Sequence, residues 1–199
     1  MAGKKDKSAN TLSVKDKALD AMLALAAAQD WNDISMADIA RHADLAPDVL
    51  YDHFDDRSDL LAAYGRRIDR KILAQAPQTD DDDALSPRDR LFDLMMDRFD
   101  VLNDHRDAVT SIMRSFRCDP KQAVISLPHL GRSMSWMLET AGIATSGFKG
   151  AVKVAGLTGL YLKALYVWMN DDSPDMGKTM AVLDKNLSRA EQWAHSFRL

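Results

Sequence analysis

The sequence predicts an all-α protein in which a small N-terminal module of three helices is joined to a larger C-terminal helical domain. Apolar residues recur at helical spacing along almost the whole chain, and no segment shows the alternation of a half-buried strand. With 199 residues, 46% of them apolar, the chain is long enough for both parts and for their buried cores. We divide it into a basic, flexible arm over 1–12, the N-terminal module over 13–57 and the helical domain over 58–197.

The first four helices are predicted from caps and apolar spacing. Helix 1 should run from about Ser13 to Gln29, after the polar arm, which we expect to be disordered. Helices 2 and 3 fall within 35–54. Helix 4 is predicted from Ser58, a favourable N-cap residue, to about Gln75.

An acidic linker of four aspartates, 80–83, precedes the remaining helices. Three of these helices should begin with an N-cap residue followed by proline, which suits a first helical turn. Pro128 should break or kink one of them. The pairs are Ser86-Pro87, Asp119-Pro120 and Ser173-Pro174, and the helices are predicted near 87–103, 105–117, 120–141, 145–169 and 174–197.

Within the N-terminal module, the segment 35–54 has the pattern of a helix–turn–helix. Two short apolar faces flank a tight-turn position occupied by Asp44, a residue that tolerates a left-handed backbone. Pro47 suits the first turn of the second helix because its fixed φ and missing N–H cost nothing there. In such motifs the second helix normally enters the DNA major groove by its N-terminal end. The faces are formed by Ile39, Ala40 and Ala43 and by Val49, Leu50 and Phe54.

The charge of this motif opposes contact with DNA. Residues 31–59 contain eight aspartates against only Arg41 and Arg57, a net charge of −6 that would face a polyanion. The whole chain carries −4, so no global attraction draws it to nucleic acid. Lysines near the N-terminus offset part of the acid, either as DNA contacts or as a solvated basic tail. Two interpretations remain open, a working DNA-binding motif and a retained scaffold. The lysines are Lys4, Lys5, Lys7, Lys15 and Lys17.

Residues typical of catalysis, metal binding or membrane insertion do not occur in the required patterns. The single Cys118 excludes an intramolecular disulfide and a cysteine-rich zinc site. The 5 histidines lack metal-ligand spacing, and we find no Ser-His-Asp arrangement or phosphate-cradling glycine loop. No run approaches the roughly 20 apolar residues of a membrane span. We expect a soluble, cytoplasmic protein without enzymatic activity, metal or cofactor.

The last two helices carry faces suited to helix pairing. The final helix has an apolar stripe at alternating spacings of four and three residues, typical of a seam for one facing helix or a symmetric pair. The preceding helix has small residues at i, i+4 and i+8, which permit close approach. We expect a dimerising four-helix arrangement; the alternative is that both faces pack within one subunit. The stripe is Met176, Met180, Leu183, Leu187, Ala190, Ala194 and Phe197, and the small residues are Ala151, Ala155 and Gly159.

Residues 14–72 resemble the tetracycline-repressor (TetR) family of bacterial regulators. The resemblance is carried by the run 18–28, the entry 33–40, the block Leu50-Tyr51-Asp52-His53-Phe54 and the run 57–61. It implies phosphate contacts from Tyr51 and His53, and from Arg57, which keeps the positive charge of the family's lysine. The DNA-binding residues that it implies are Ser35, Met36, Ala46, Pro47, Asp48, Tyr51, His53 and Arg57.

Three residues depart from the family pattern. Asp44 replaces the turn glycine, and Ala46 replaces a Ser or Thr cap whose hydroxyl would face phosphate. Asp48 replaces a glycine that lets the helix approach the DNA backbone. An aspartate at a helix N-terminus stabilises the helix by roughly 0.3–1 kcal/mol, but it repels phosphate. The favourable contact that Asp48 could make with DNA is to accept a hydrogen bond from a cytosine amino group.

The resemblance also implies an apolar effector pocket among the central helices. Methionine and aromatic side chains there suit an adaptable pocket; the alternative is an ordinary core. The candidate lining residues are Phe92, Met95, Phe99, Met113, Phe116, Trp136 and Met137.

The C-terminal segment resembles a second family, the ubiquinone-biosynthesis accessory proteins. The likeness runs over 166–176 and continues through 179–184 and 189–193. Members of that family keep the same fold and bind isoprenoid lipid without needing DNA. The leading interpretation is therefore a homodimeric TetR-type regulator whose binding to double-stranded DNA is relieved or altered by a small apolar or lipid-like effector. The alternatives are a lipid-binding accessory protein whose acidic helix–turn–helix no longer binds DNA, and a dimeric interaction module without a ligand.

Overall fold

The computed structural model describes residues 4–75, 85–116 and 120–197, and all regular structure in these ranges is helical, as the sequence predicts. Nine α-helices and one short 3₁₀ turn follow one another along this part of the chain. They are α1 (Lys4–Ala28), the 3₁₀ turn (Trp31–Asp33), α2 (Met36–His42), α3 (Pro47–Tyr51), α4 (Arg57–Gln75), α5 (Pro87–Asn103), α6 (Arg106–Ser115), α7 (Pro120–Thr140), α8 (Gly147–Trp168) and α9 (Gly177–Phe197). The predicted linker at 80–83 and Cys118 lie outside the described residues.

The chain forms two compact units, and the division differs from the predicted boundary between residues 57 and 58. The first unit contains the described residues up to Arg67 together with those of 104–126; the second contains the remaining described residues. The boundary lies inside α4, and α6 belongs with the N-terminal helices because it packs along α1. Helical periodicity reveals the apolar face of α6, but it does not reveal which helix covers that face.

Helix α1 begins at Lys4, well before the predicted start near Ser13. The segment expected to be a disordered arm is therefore helical from Lys4 onwards. No glycine or proline interrupts Lys4–Ala28, and the polar residues there include lysine, which has a high helix propensity. The polar composition of this segment did not indicate disorder, because a helix needs an apolar stripe only where another part of the protein covers it.

Caps explain where α4 and α5 begin. Asp56 caps α4, since its Oδ1 accepts from the backbone N–H groups of Ser58 at 2.7 Å and Asp59 at 3.1 Å. Ser58 is thus inside the first turn and is not the predicted N-cap. At α5 the prediction is confirmed: Ser86 Oγ accepts from the N–H of Asp89 at 3.1 Å, and Pro87 is the first helical residue.

Helix α9 begins at Gly177, later than the predicted start after Ser173-Pro174. Met176 has φ 52°, a left-handed conformation that no helical residue adopts, so the chain cannot be helical from Pro174. The buried carboxylate of Asp171 holds the first turn instead. Its Oδ2 accepts from the N–H and the hydroxyl of Thr179, both at 2.8 Å.

Helix α7 continues through Pro128 without a break. The proline removes one hydrogen bond to the carbonyl of Val124, four residues earlier. Both residues are exposed, so water can satisfy that carbonyl and the helix can tolerate the loss. The helix is therefore not broken at Pro128, and the alternative, a kink there, stays a prediction.

Each unit has its own buried core. In the first unit the fully buried large side chains include Met22, Trp31, Ile39, Leu50 and Leu60. In the second unit the ring of Phe99 stacks on Tyr161, with 5.6 Å between the centroids, and lies 6.2 Å from the ring of Trp168. Further buried side chains of the second unit are Met95, Met134, Met137, Leu165, Leu183 and Leu187.

Part of the apolar stripe predicted for the last helix packs inside the second unit. Leu183 is 0% exposed, Leu187 4% and Met176 5%, because α9 lies against α8 and α5 of the same chain. These three residues are therefore core residues, which corrects their assignment to a dimer interface. A stripe of this spacing requires a facing helix but carries no information on whether that helix belongs to the same chain. Met180, at 41% exposure, stays at the surface, as does Ala190 further along the stripe.

Candidate nucleic-acid interface and effector cavity

The predicted tight turn of the helix–turn–helix is present between α2 and α3. Asp44 has φ 53°, the left-handed conformation expected at this position. The N–H of Leu45 then donates to the carbonyl of Ala40 at 2.9 Å, which ends α2 and redirects the chain. An aspartate thus performs the structural task usual for glycine at this turn.

The N-terminus of α2 is closed by its own side chains. Ser35 Oγ accepts from the N–H of Asp38 at 3.2 Å, and the Asp38 carboxylate accepts from the N–H of Ser35 at 3.0 Å. Hydrogen bonds from Ser35 are the main cause that lowers the pKa of Asp38 below its usual value. Ser35 is exposed, which a contact with DNA requires, but its hydroxyl already takes part in this capping box. Met36 is only 9% exposed, so its side chain belongs to the core and not to the predicted DNA-contacting set.

Helix α3 presents its N-terminal turn to solvent. Ala46 is the N-cap and makes no side-chain capping bond, and Pro47 is the first helical residue, as predicted. Ala46, Pro47 and Asp48 are all exposed, and Tyr51 is 53% exposed. His53, just beyond the helix, is half-buried. The five predicted residues thus lie within 46–53, an edge of the first unit at which four of them are exposed.

Arg57 was predicted to contact phosphate, but its guanidinium is turned towards the backbone of the 3₁₀ turn. Its Nη1 donates to the carbonyls of Trp31 at 2.6 Å and Ile34 at 2.8 Å, and its guanidinium lies 5.1 Å from the centre of the Trp31 ring. The arginine therefore ties the start of α4 to the 3₁₀ turn. Residue spacing gave no sign of this, because its partners lie more than twenty positions away in the sequence.

The exposed charges of residues 31–59 are predominantly negative. Arg41 extends into solvent and pairs with Asp38, and Arg57 is turned inwards. The exposed carboxylates are Asp33, Asp44, Asp48, Asp52, Asp55 and Asp56. The summed negative charge of these groups repels a phosphate that approaches α3. On α1, Lys15 and Lys17 are exposed and add positive charge to the first unit.

The second unit contains a small cavity bounded by α4, α5 and α7. Its volume is on the order of one water molecule. Trp136 and Met137 line it, as predicted for a pocket, and Trp136 is 46% exposed. The complete lining is Asp69, Ile72, Leu73, Leu94, Ser133, Trp136, Met137 and Thr140.

The other predicted pocket residues are distributed differently. Met95 and Phe99 are fully buried in the core of the second unit, and Phe92 is half-buried with the guanidinium of Arg88 5.7 Å from its ring centre. Met113 and Phe116 belong to the first unit. Methionine and aromatic content therefore identified core positions more reliably than lining positions, since both environments select the same side chains.

A buried polar cluster beside the cavity was missed in the sequence. Arg98 is 4% exposed; its Nη1 forms a salt bridge with Asp69 Oδ1, and its Nε donates to the hydroxyl of Tyr161 at 3.2 Å. Ser133 Oγ also donates to Asp69 Oδ1, at 2.6 Å. Burial lowers the pKa of Arg98, but Tyr161 and Asp69 outweigh it and raise the pKa overall. The four residues lie on four different helices, so no local pattern connects them.

The small-residue face of α8 is exposed. Ala151, Ala155 and Gly159 are accessible, as an interface would require. Phe148, at 83% exposure, and Tyr166, at 58%, extend the same face. The helix carries lysines but no acidic residue. Its outer surface is therefore unusually apolar for a solvent-exposed helix.

Among the described residues there is neither a metal-binding cluster nor a membrane-spanning helix. No cluster of three or more His, Cys, Asp or Glu is placed to hold a metal ion in 4–75, 85–116 and 120–197. None of the helices in these ranges has the length and apolarity to cross a membrane.

Comparison with protein families gives two matches at opposite ends of the chain. Residues 18–64 match the model of bacterial regulatory proteins of the tetR family, and residues 123–194 match the model named COQ9. Over 60 residues the chain is 32% identical to the HTH-type transcriptional regulator AlkX of Mycobacterium tuberculosis. That match covers 30% of this chain and 28% of the relative, so the chain spans less than a third of the relative's length.

Solved structures resemble the chain over nearly its full length. A TetR transcriptional regulator from Nitrosomonas europaea has a TM-score of 0.71 at 24% identity and covers 89% of this chain and 98% of its own. A TetR transcriptional regulator from Rhodococcus sp. RHA1 has a TM-score of 0.63 at 16% identity, covering 90% and 96%. The chain therefore has the fold of the TetR-family transcriptional regulators, with a match to that family over 18–64 and to COQ9 over 123–194.

Proposed function

We propose that this protein is a non-enzymatic, homodimeric transcriptional regulator that binds DNA through the first unit and responds to a small apolar effector in the second. The observation that carries this proposal is the intact helix–turn–helix, with its left-handed Asp44 and the exposed N-terminal turn of α3. The match over 18–64 supports it. In such motifs that turn is the part inserted into the major groove.

DNA binding would depend on few favourable contacts. Tyr51 and His53 lie at the exposed edge, and Lys15 and Lys17 supply positive charge from α1. Arg57 holds the 3₁₀ turn and contributes little to phosphate contact. Asp48 decides the specificity, because it repels a phosphate but accepts a hydrogen bond from a cytosine amino group.

Selection from a random duplex library at low salt tests the DNA-binding step. We expect enrichment of a palindrome, since a symmetric dimer presents two copies of α3. The variant Asp48→Gly should bind more tightly to all sequences if Asp48 only repels, and lose preference for particular cytosines if it reads them. Failure of both proteins to enrich any sequence would leave the helix–turn–helix as a scaffold only.

The dimer would form through the small-residue face of α8. Phe148 and Tyr166 mark the two ends of an exposed apolar stripe about 27 Å long. A Cβ built at Gly159 meets no neighbouring atom within 4 Å, so the subunit itself tolerates a side chain there. We therefore expect Gly159→Glu to give a folded monomer by light scattering, while the control Ala181→Glu, on the exposed face of α9, stays dimeric. A wild-type protein that is monomeric at micromolar concentration would contradict the interface.

A second candidate function is lipid binding without DNA. The match over 123–194, the inward Arg57 and the exposed carboxylates favour it. Native mass spectrometry and solvent extraction of the purified protein test this function directly. An isoprenoid or quinone in the extract, together with no enrichment of DNA, would support the accessory-protein interpretation over the regulator.

A further inference from the structure

Residues 31–59 contain two arginines and no lysine, and the structure gives the two arginines different surroundings. The guanidinium of Arg57 donates to the carbonyls of Trp31 at 2.6 Å and Ile34 at 2.8 Å, so its charge is directed to the backbone of the 3₁₀ turn. The side chain of Arg41, in the last turn of α2, is 76% exposed. Arg41 is therefore the arginine of this region whose charge an anion can reach from solvent.

The guanidinium of Arg41 extends back along α2 towards the DNA-binding side expected of a first helix. Its Nη2 forms a salt bridge with Oδ1 of Asp38, three residues earlier. Asp38 forms the capping box with Ser35, so the positive charge lies beside the first turn of the helix. In a helix–turn–helix the first helix crosses the DNA backbone while the second enters the major groove. The salt bridge thus holds the Arg41 charge on the helix that passes the phosphates.

Arg41 can leave Asp38 without depriving the carboxylate of all its hydrogen bonds. Oδ2 of Asp38 accepts from the N–H of Ser35 at 3.0 Å and from the hydroxyl of Ser35 at 2.5 Å. Neither of these bonds involves Arg41. An exposed ion pair contributes little to stability, because water screens both charges. The guanidinium can therefore exchange the Asp38 carboxylate for a phosphate at small cost.

We propose that Arg41 is the arginine of this helix–turn–helix that contacts phosphate, in place of the inward Arg57, and that it exchanges Asp38 for a DNA phosphate on binding. The inference rests on the proposed function, because it concerns the DNA contact of the first unit. Arginine suits this exchange, since its planar guanidinium matches the geometry of both carboxylate and phosphate. Asp38 consequently competes with DNA for Arg41.

The salt dependence of binding to a short fluorescent duplex of random sequence tests the contact. Each neutralised phosphate contributes about −0.9 to the slope of log affinity against log salt concentration. We expect Arg41→Ala to weaken binding at low salt and to reduce the size of this slope by about 0.9 per subunit, while Arg41→Lys retains it. The matched control is Arg66→Ala, which removes an exposed arginine from α4 in the same unit and should leave the slope unchanged. Equal slopes for Arg41→Ala and Arg66→Ala would overturn the proposal.

The exchange itself is tested at Asp38. Asp38→Asn should tighten binding, and the gain should be at least about twofold larger with Arg41 present than in the Arg41→Ala background, because only then does the substitution release a guanidinium. A gain of the same size in both backgrounds would reflect only the lost negative charge and would overturn the exchange. If circular dichroism shows that Asp38→Asn does not fold, the comparison of Arg41→Ala with Arg66→Ala decides alone.

The wild-type protein separates this inference from the proposed function. No binding of the wild type to the duplex at low salt would overturn the proposed DNA binding and this inference together. Binding of the wild type with a slope that Arg41→Ala does not change would overturn this inference alone.

Discussion

The first unit keeps most of its carboxylates at the surface, whereas the second buries an aspartate–arginine pair in its interior. Asp20 and Arg67 of the first unit form a salt bridge at 2.6 Å whose aspartate is 68% exposed. Asp69 and Arg98 of the second unit form one whose side chains are 12% and 5% exposed. The two pairs have the same chemistry, but water screens the first and not the second. Charge in the first unit therefore governs what approaches it, and charge in the second governs how its helices stay together.

The largest expected effect comes from breaking the buried pair. Asp69→Ala leaves the Arg98 charge buried without its partner and should lower the free energy of unfolding by about 3–5 kcal/mol. Asp20→Ala, the matched change in the exposed pair, should cost about 0–1 kcal/mol. Urea denaturation measures both. The double variant Asp69→Ala/Arg98→Met should recover much of the loss, and equal effects of the two single variants would refute the comparison.

The next effect concerns Asp171, which is 1% exposed. Burial raises the pKa of its carboxyl, but the hydrogen bonds from Ser173 and Thr179 outweigh this and hold the pKa far below its ordinary 3.8. Because the folded-state pKa is lowered, the carboxylate contributes stability above pH 3.8, and this is lost as the pH falls below that value.

Asp171→Asn should therefore cost about 1–3 kcal/mol at neutral pH. The difference from the wild type should shrink as the pH falls from about 5 to 2, because the Asp171 carboxyl of the unfolded state takes up a proton there while that of the folded state stays ionised. Denaturation curves across this range measure it. A difference that stays constant with pH would show that the charge of Asp171 is not what stabilises the start of α9.

A smaller effect is expected at Arg57. Arg57→Ala removes two hydrogen bonds to backbone carbonyls and the contact with Trp31, and should lower the free energy of unfolding by about 1–2 kcal/mol. Arg41→Ala, an exposed arginine of the same unit, should change it by no more than about 0.5 kcal/mol. If instead Arg57→Ala leaves stability unchanged but flattens the salt dependence of DNA binding, the side chain acts on phosphate and the inward contact is not its main role.

The smallest pair of effects concerns the caps at the starts of α2 and α3. Ser35→Ala removes the cap of α2 and should cost about 1 kcal/mol. Ala46→Ser supplies the cap that α3 lacks and should gain about 0.5–1 kcal/mol. Thermal unfolding of both variants measures the shifts. Changes of the same sign would contradict the assignment of the caps.

The sequence predicted features that depend on neighbouring residues. Asp44 and Pro47 were placed correctly because turn and first-turn preferences act within a few residues. The inward turn of Arg57 was not predictable, because its partners are set by the fold. The same holds for the Asp69–Arg98 pair, whose members come from separate helices.

The stripe of α9 lies between these two cases, because the sequence predicted one part of its arrangement and missed another. Its periodicity predicted a covered face, and Leu183 and Leu187 are indeed buried, but Met180 and Ala190 of the same stripe are exposed. The periodicity did not indicate that α5 and α8 of the same chain would cover the apolar face of α9. An amphipathic pattern thus indicates which face of a helix is buried, whereas the topology of the fold determines which helices cover that face.

The left-handed methionine that precedes α9 restricts which sequences can take its place. At position 176 the backbone favours glycine or asparagine, while the buried site requires a long apolar side chain. Valine or isoleucine would add crowding at Cβ to the unfavourable backbone, and glycine would leave a hole in the core. No standard amino acid both favours a left-handed backbone and provides a long apolar side chain. A design based on this fold should therefore change the backbone of the loop before α9, and not the residue at position 176.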